Sequence, residues 1–515
     1  MFSPAIRFPS GRIFKIEKTP SHREIILLFL DKKTLFSYFN LAPKEDVPGC
    51  LWLPLARNES WGKKGEMVFV LLPSDNNVTI FRSMLNNYPE YPADAPFYFL
   101  SPAGKKGYDG EFQKDQFFCC YTLYKDDWYP VCYTPFQSAV IELEIDEKHT
   151  YDFIAFGSES NLAVAVMQGT EIHLSPTYGR LVDWTQLEMA NQWMDRKRKD
   201  FLSSGVIFHE YYHESLLHTY LSKYGQKSTY THTEAHFANI LFDNRFFSTP
   251  LLGVIFDEAD HTSNGTIEGS DLVYGTMAKV QILASWRPIP VPGHASTYLE
   301  PWRATLAILR EVVGDLENLD IPFLRLLRNN REIHYVIDAI NKRIINVTPS
   351  SSMNHILMAI FELLDYRSLI EEYDMQNKRF DEFFIAEEAE TYPINIIQIE
   401  GRTYLDTHEL FSHIVNDIKK GKSPQKILHQ AIHTLFAETT NLLKAYAETY
   451  NEKRVALSGH LFVHPHLLQL MVYHLEKAGL VPLLHKRIPT DDSSVALGAL
   501  LHILAQKEMK SSHEV

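Results

Sequence analysis

At 515 residues, 45% of them hydrophobic, the chain can bury a large core and is long for a single domain, so two or three domains are expected. Its net charge of -14 argues against a broad phosphate-binding face, and therefore against nucleic acid as a partner. Four cysteines without a CxxC pair suit a reducing, cytoplasmic setting, and the early apolar run from Ile25 to Leu30 is far below the ~20 residues that span a bilayer, so no membrane anchor is expected.

Residues 1 to about 150 are rich in aromatics and carry short β-like runs, such as Met67 to Leu72 and Ala95 to Leu100, which read as a small α+β domain of unknown task. Adjacent Cys119 and Cys120 point to opposite faces of a strand, so they read as small buried hydrophobes and not as a metal or redox pair. Near residue 150 the pattern changes. Tyr151 to Gly157, Asn161 to Met167 and Glu171 to Leu174 read as three strands separated by turns, followed by helical periodicity from Trp184 to Phe201. The same apolar strand running into an acidic loop restarts at Leu251 to Asp257, which implies a duplicated, two-lobed α/β fold of the actin, sugar-kinase and heat-shock-ATPase architecture. The lobes are expected at about 151–250 and 251–510. Helical patterns cover Ile356 to Leu364 and Ile427 to Leu443, a last strand spans Lys453 to Gly459, and a helix follows from Leu467 to Lys477.

Between the two strand sets lies Thr231-His232-Thr233-Glu234-Ala235-His236, which reads as a helix start. His232 and His236 are four residues apart, so both rings project from one helical face and could chelate one ion. Two ligands are not a site, and by spacing alone a helix whose two histidines face solvent or a polar seam is the stronger reading, because HxxxH without the glutamate of HExxH is a weak motif. The segment Val254-Ile255-Phe256-Asp257-Glu258-Ala259-Asp260-His261 imitates the magnesium box of helicases. The phosphate-cradling GxxxxGK[ST] loop is missing, because Gly421-Lys422-Ser423 has Asn416 where the leading glycine belongs, so a helicase is rejected.

Further along stand Arg287-Pro288-Ile289-Pro290-Val291-Pro292-Gly293 and, after a short gap, Glu300-Pro301-Trp302-Arg303. With these as its most specific segments, the chain from about 150 to 510 resembles the carbamoyltransferase domain of HypF, the hydrogenase maturation factor, a relative of the TsaD family. Ser351-Ser352-Met353, Val455-Ala456-Leu457-Ser458-Gly459 and Pro489-Thr490-Asp491-Asp492-Ser493-Ser494 match further family motifs. The resemblance implies a metal bound by His232, His236 and Asp492, and nucleotide contacts at Asp257, Gly265, Ser458 and Gly459. The implied ligands are a divalent iron or zinc ion, because imidazole with carboxylate suits such metals, and ATP or carbamoyl-adenylate.

Several family positions differ. Glu258, Asp260 and His460 replace glycines, serines replace the glycines after Asp492, and Asn161 and Leu162 replace a motif Lys and Asn. Bulk and negative charge where a polyphosphate would lie imply weak nucleotide binding. The implied function is a divergent carbamoyltransferase that moves a carbamoyl group from carbamoyl-adenylate to a protein thiol or small-molecule acceptor, with a HypE-like maturation protein as partner. The alternative is a non-catalytic binding or assembly protein with degenerate nucleotide loops. A TsaD-like role on tRNA fits less well, given the acidic balance and the Pro-rich segment. His261, His460, His464 and His294 are a further set of candidates for an enlarged metal site.

Overall fold

The computed structural model describes most of residues 151–511, with 198–204, 211–219, 222–226, 294–299, 328–334 and 367–387 the longer stretches outside it. Of residues 1–150 it describes seven strand segments. Two compact units result: the first takes 1–248, 277–279 and 484–515, the second 249–276 and 280–483.

Strands β1 (Arg12–Ile16), β2 (Ile25–Asp31), β3 (Glu66–Leu71), β4 (Phe99–Pro102), β5 (Phe118–Tyr124) and β6 (Asp127–Tyr133) form a six-stranded sheet in sequence order. Any helix of an α+β domain falls outside the described residues. Strand β7 (Ala139–Glu142) joins a second sheet, of order β12-β11-β8-β9-β10-β7. There β8 (Tyr151–Phe156), β9 (Val164–Gly169) and β10 (Glu171–Leu174) make an antiparallel meander, to which β11 (Gly205–His209) and β12 (Lys227–Tyr230) add in parallel.

Both faces of this sheet are covered, which is why β8 and β9 read as continuous apolar runs. Ile154, Phe156, Val164, Val166 and Val206 share one core with Leu187, Trp193 and Met194 of helix α1 (Trp184–Lys197). Side chains alternate along a strand, so Phe153 faces the other way, where Lys507 lies over its ring at 4.7 Å.

In the second unit, β13 (Leu251–His261), β14 (Ile267–Thr276) and β15 (Lys279–Trp286) form another antiparallel meander. An antiparallel pair of β16 (Ile289–Pro292) and β17 (Val347–Ser350) joins β14 through β17, and β18 (Ile396–Ile399) and β19 (Arg402–Leu405) extend the β15 side. Strands β20 (Arg454–Ser458) and β21 (Val481–Leu483) add in parallel beyond β13. The path β15-β14-β13-β20-β21 repeats the path β10-β9-β8-β11-β12, and this repetition is the duplication expected from the sequence.

Among the described residues, further helices include α2 (His232–Asp243), α3 (Trp302–Val313), α4 (Pro322–Leu327), α5 (Met353–Leu363), α6 (Thr407–Lys419), α7 (Pro424–Tyr450), α8 (Pro465–Lys477) and α9 (Val495–Ser511). Helix α7 starts where Ser423 accepts the Lys426 N–H and Pro424 occupies the first turn, and it ends at Asn451 in the left-handed conformation, φ 53°. It brings Phe436 to Phe256 at 6.0 Å and gives the Trp286 indole N–H an acceptor in Thr439 Oγ1 at 3.0 Å.

One boundary differs from the sequence reading. Residues 484–510 were expected in the second lobe, yet 484–515 belong to the first unit. The cause is the crossing of α9 over α2, where Gly498 lets the backbones meet: a Cβ there would stand 2.1 Å from the Ala235 carbonyl oxygen.

Candidate functional site

Helix α2 begins with a capping box: Thr231 Oγ1 accepts the Glu234 N–H at 3.3 Å and Glu234 Oε2 accepts the Thr231 N–H at 2.8 Å. The preceding residue, Tyr230, is anchored by its hydroxyl to the Phe156 carbonyl at 2.9 Å. Ala235, Phe237, Ala238, Ile240 and Leu241 make α2 apolar on nearly every side, so it is buried and its histidines go with it. His232 is 5% and His236 0% exposed, which removes the reading of two rings on a solvated seam.

The third residue arrives from the segment between β21 and α9. Asp243, at the end of α2, accepts the N–H groups of Lys486 at 2.6 Å and Ile488 at 3.1 Å. Asn244 donates to the Leu484 carbonyl at 3.0 Å. Asp491 then caps a short 3-10 turn by accepting the Ser493 N–H at 3.2 Å, and the turn presents Asp492.

Asp492 Oδ1 lies 3.0 Å from His232 Nε2 and 3.6 Å from His236 Nε2, and the two rings are 4.8 Å apart between centroids. Ligand atoms sharing a tetrahedral ion at ~2.0–2.1 Å stand about 3.3 Å from one another, so these separations fit a single divalent ion. Two imidazoles and one carboxylate form a donor set suited to such an ion. Burial raises the Asp492 pKa, but the charge of His232 and hydrogen bonds from His232 and His236 outweigh it and hold the carboxyl well below its ordinary value. Asp492 is thus an anion at neutral pH, as a ligand must be. Nearby, burial pushes His485 down to about 4, with Asp243 at 3.9 Å opposing the shift and His236 adding to it.

In the second unit, Asp257 is 3% exposed and follows the β13 segment that pairs with β20, where Ile255 is opposite Ser458. Gly459, at φ +110°, turns the chain so tightly that a Cβ would stand 2.2 Å from the Phe256 carbonyl oxygen. The next N–H, of His460, donates to Asp257 Oδ1 at 3.1 Å. Asp257, Ser458 and Gly459 are therefore together. Gly265 is not with them: it occupies the β13–β14 turn, beyond the ladder pair of His261 with Ile267. The side chains of Glu258 and Asp260, and residues His294 and His464, lie outside the described residues.

Sequence reasoning missed three contributors. Ser352 sends its hydroxyl to the Asp257 carbonyl at 3.3 Å and caps α5, a role that the Ser351-Ser352-Met353 match could have suggested. Asn239, polar in the middle of an apolar helix, donates to the backbone and side chain of Ser494. His209, 5% exposed at the end of β11, sets its ring edge-on to His232 at 6.1 Å.

Residues 253–499 match the family model described as the carbamoyltransferase, Kae1-like domain, second subdomain. The chain is 24% identical over 289 residues to the carbamoyltransferase HypF of Synechocystis, a match covering 52% of this chain and 36% of that protein. It is 24% identical over 280 residues to that of Rhodobacter capsulatus, covering 54% and 36%. The fold matches full-length HypF in its phosphate- and nucleotide-bound form with a TM-score of 0.62 at 18% identity, over 80% of this chain and 51% of that one. The HypF of T. kodakarensis gives 0.61 at 21%, over 80% and 52%. The chain spans about a third of the curated relatives' length in these matches. In sequence and fold the chain is thus similar to the HypF-type carbamoyltransferases, at low identity, and residues 253–499 match the second subdomain of their Kae1-like domain.

Proposed function

We propose that the chain carries the transfer half of HypF-type chemistry, moving a carbamoyl group from carbamoyl-adenylate to the thiol of a partner protein. In this reading the setting is nickel-iron hydrogenase maturation and the partner is a HypE-like protein. The observation that carries the proposal is the buried group of His232, His236 and Asp492, with donor atoms 3.0 and 3.6 Å apart. Two imidazoles and an ionised carboxylate kept out of water form a donor set that a divalent ion could occupy, which supports a metal-assisted transfer.

The acceptor sulfur, as thiolate, forms a bond to the carbamoyl carbon. The bond from that carbon to the phosphate oxygen breaks, and AMP leaves with the electron pair. A divalent iron or zinc ion held by His232, His236 and Asp492 would supply Lewis-acid polarisation of oxygens. The chain's own contribution is to keep Asp492 ionised and both rings in one orientation, on a helix whose burial excludes water. In the second unit the His460 N–H is committed to Asp257, so that amide does not point at a phosphate, which agrees with a weak hold on nucleotide.

The test supplies carbamoyl-adenylate and a peptide with a terminal cysteine to zinc- or iron-loaded protein, and measures AMP release. Release should require both the peptide and the metal, and Asp492→Asn should abolish it. AMP appearing no faster than in buffer would remove the proposal.

A further inference from the structure

The metal group depends on a carboxylate that sits 260 residues from its first histidine partner in sequence. Something in the first unit must hold the Asp492 turn against α2, and the residues that do so are not ligands. Asn239 lies one turn past His236 on the same helical face and is fully buried. Its Nδ2 donates to the Ser494 carbonyl at 2.9 Å and to Ser494 Oγ at 2.9 Å. The Ser494 hydroxyl in turn donates to the Asp491 carbonyl at 3.0 Å, and the Ser494 N–H reaches the same oxygen at 3.2 Å. These bonds close the turn on both sides of Asp492.

The resemblance leads to glycines at positions 493 and 494, and a glycine turn is free to flex. Here Ser493 and Ser494 are 3% and 0% exposed, and their hydroxyls are spent inside the turn. The serines are therefore not mere bulk added to a worn loop. Ser494 supplies acceptors for the amide N–H groups of a buried mid-helix asparagine.

We infer that Asn239 and Ser494 are positioning residues that lock the Asp492 turn onto the histidine helix and set the metal affinity of this chain. The inference rests on the metal reading of His232, His236 and Asp492. Residues that orient ligands change metal affinity by roughly 10–100-fold when removed. Asn239→Ala deletes both bonds to the turn, and Ser494→Ala deletes only those of the hydroxyl.

The probe is Co²⁺ alone, added to the full chain and read by its visible absorption against a competing chelator, with the melting temperature of the metal-free protein measured alongside. Asn239→Ala should weaken Co²⁺ binding at least about tenfold and alter the absorption band, and Ser494→Ala should do so to a smaller degree. Thr439→Val, which removes the acceptor of the buried Trp286 indole N–H in the second unit, should lower the melting temperature without moving the affinity of the folded protein. Asn239→Ala and Ser494→Ala proteins that lose only melting temperature, and bind Co²⁺ as wild type does, overturn the inference. If Asn239→Ala does not fold, Ser494→Ala decides alone. A wild type that takes up no Co²⁺ overturns the metal reading and this inference together, whereas loss of Co²⁺ in His236→Ala with retention in both positioning variants overturns this inference only.

Discussion

The crossing of α9 over α2 gives the sharpest prediction, for Gly498→Ala. In an ordinary helix interior this change stabilises by about 1 kcal/mol, because alanine has the better propensity. Here the added methyl would stand 2.1 Å from the Ala235 carbonyl oxygen, 2.7 Å from its carbon and 2.8 Å from Asn239 Nδ2. An unstrained carbon contact needs roughly 3.5 Å, so the helices must part by on the order of 1 Å. Two of the obstacles are backbone atoms inside a helix and cannot step aside, which places the effect at or above the upper end of the ~1–3 kcal/mol typical of overpacking. At roughly 1–2 °C per kcal/mol for a chain of this size, the melting transition should fall by roughly 3–6 °C. The displacement also reaches function, because Asp492 precedes α9 and both histidines ride on α2, while a metal site tolerates only about 0.5 Å. Calorimetric titration with Zn²⁺ should show weaker binding in Gly498→Ala. A variant that melts at or above the wild-type temperature and binds zinc equally well would mean that the two backbones do not meet as described.

The other predictions follow from single contacts. The chain should bind one divalent ion, and His236→Ala should lose it; metal analysis that finds the variant as loaded as wild type contradicts the assignment. Gly459→Ala cannot be accommodated, since φ is +110° and the new methyl would lie 2.2 Å from the Phe256 carbonyl oxygen, so thermal unfolding should drop sharply or the protein should be insoluble. ATP should bind weakly and more tightly once Glu258 and Asp260 are both glycine, and calorimetry showing tight wild-type binding insensitive to the change would refute this. Burial, helped by His261, pushes buried His355 from its ordinary 6.5 to about 4. The unfolded chain thus binds the extra proton between those values, so stability is full above pH ~6.5 and falls as pH drops toward ~4, by up to roughly 3 kcal/mol. His355→Gln should flatten the loss of melting temperature in that window, and an unchanged slope would show that another group carries it.

Much of this was legible in the sequence. The strand Glu171–Leu174 lies where its apolar alternation put it, and the restart of the strand pattern at Leu251 correctly announced a second sheet with the same path. The histidine pair was legible as a pair because helical spacing is local. Its third partner was not, since no periodicity connects residues 260 apart, and only the resemblance of the Asp492 loop to a family motif linked them. Gly265 was legible as a motif glycine, and its φ of +75° in the β13–β14 turn gives it a conformational reason that the motif alone does not reveal. The serines after Asp492 were read as lost glycines because a substitution does not reveal its new partner, here Asn239.

The chain order of the first unit has a consequence for biosynthesis. Both histidines are translated before the second unit, and all of that unit, from residue 249 to 483, is made before the aspartate that completes the group. A nascent chain therefore holds the two imidazoles without Asp492 until the segment preceding α9 emerges from the ribosome. Closing so long a loop is entropically unfavourable, and an ion that binds only the closed form offsets this by mass action. Loading with metal would then depend on synthesis having passed residue 492: a chain stalled or clipped before it keeps most of the described strands and lacks the third donor.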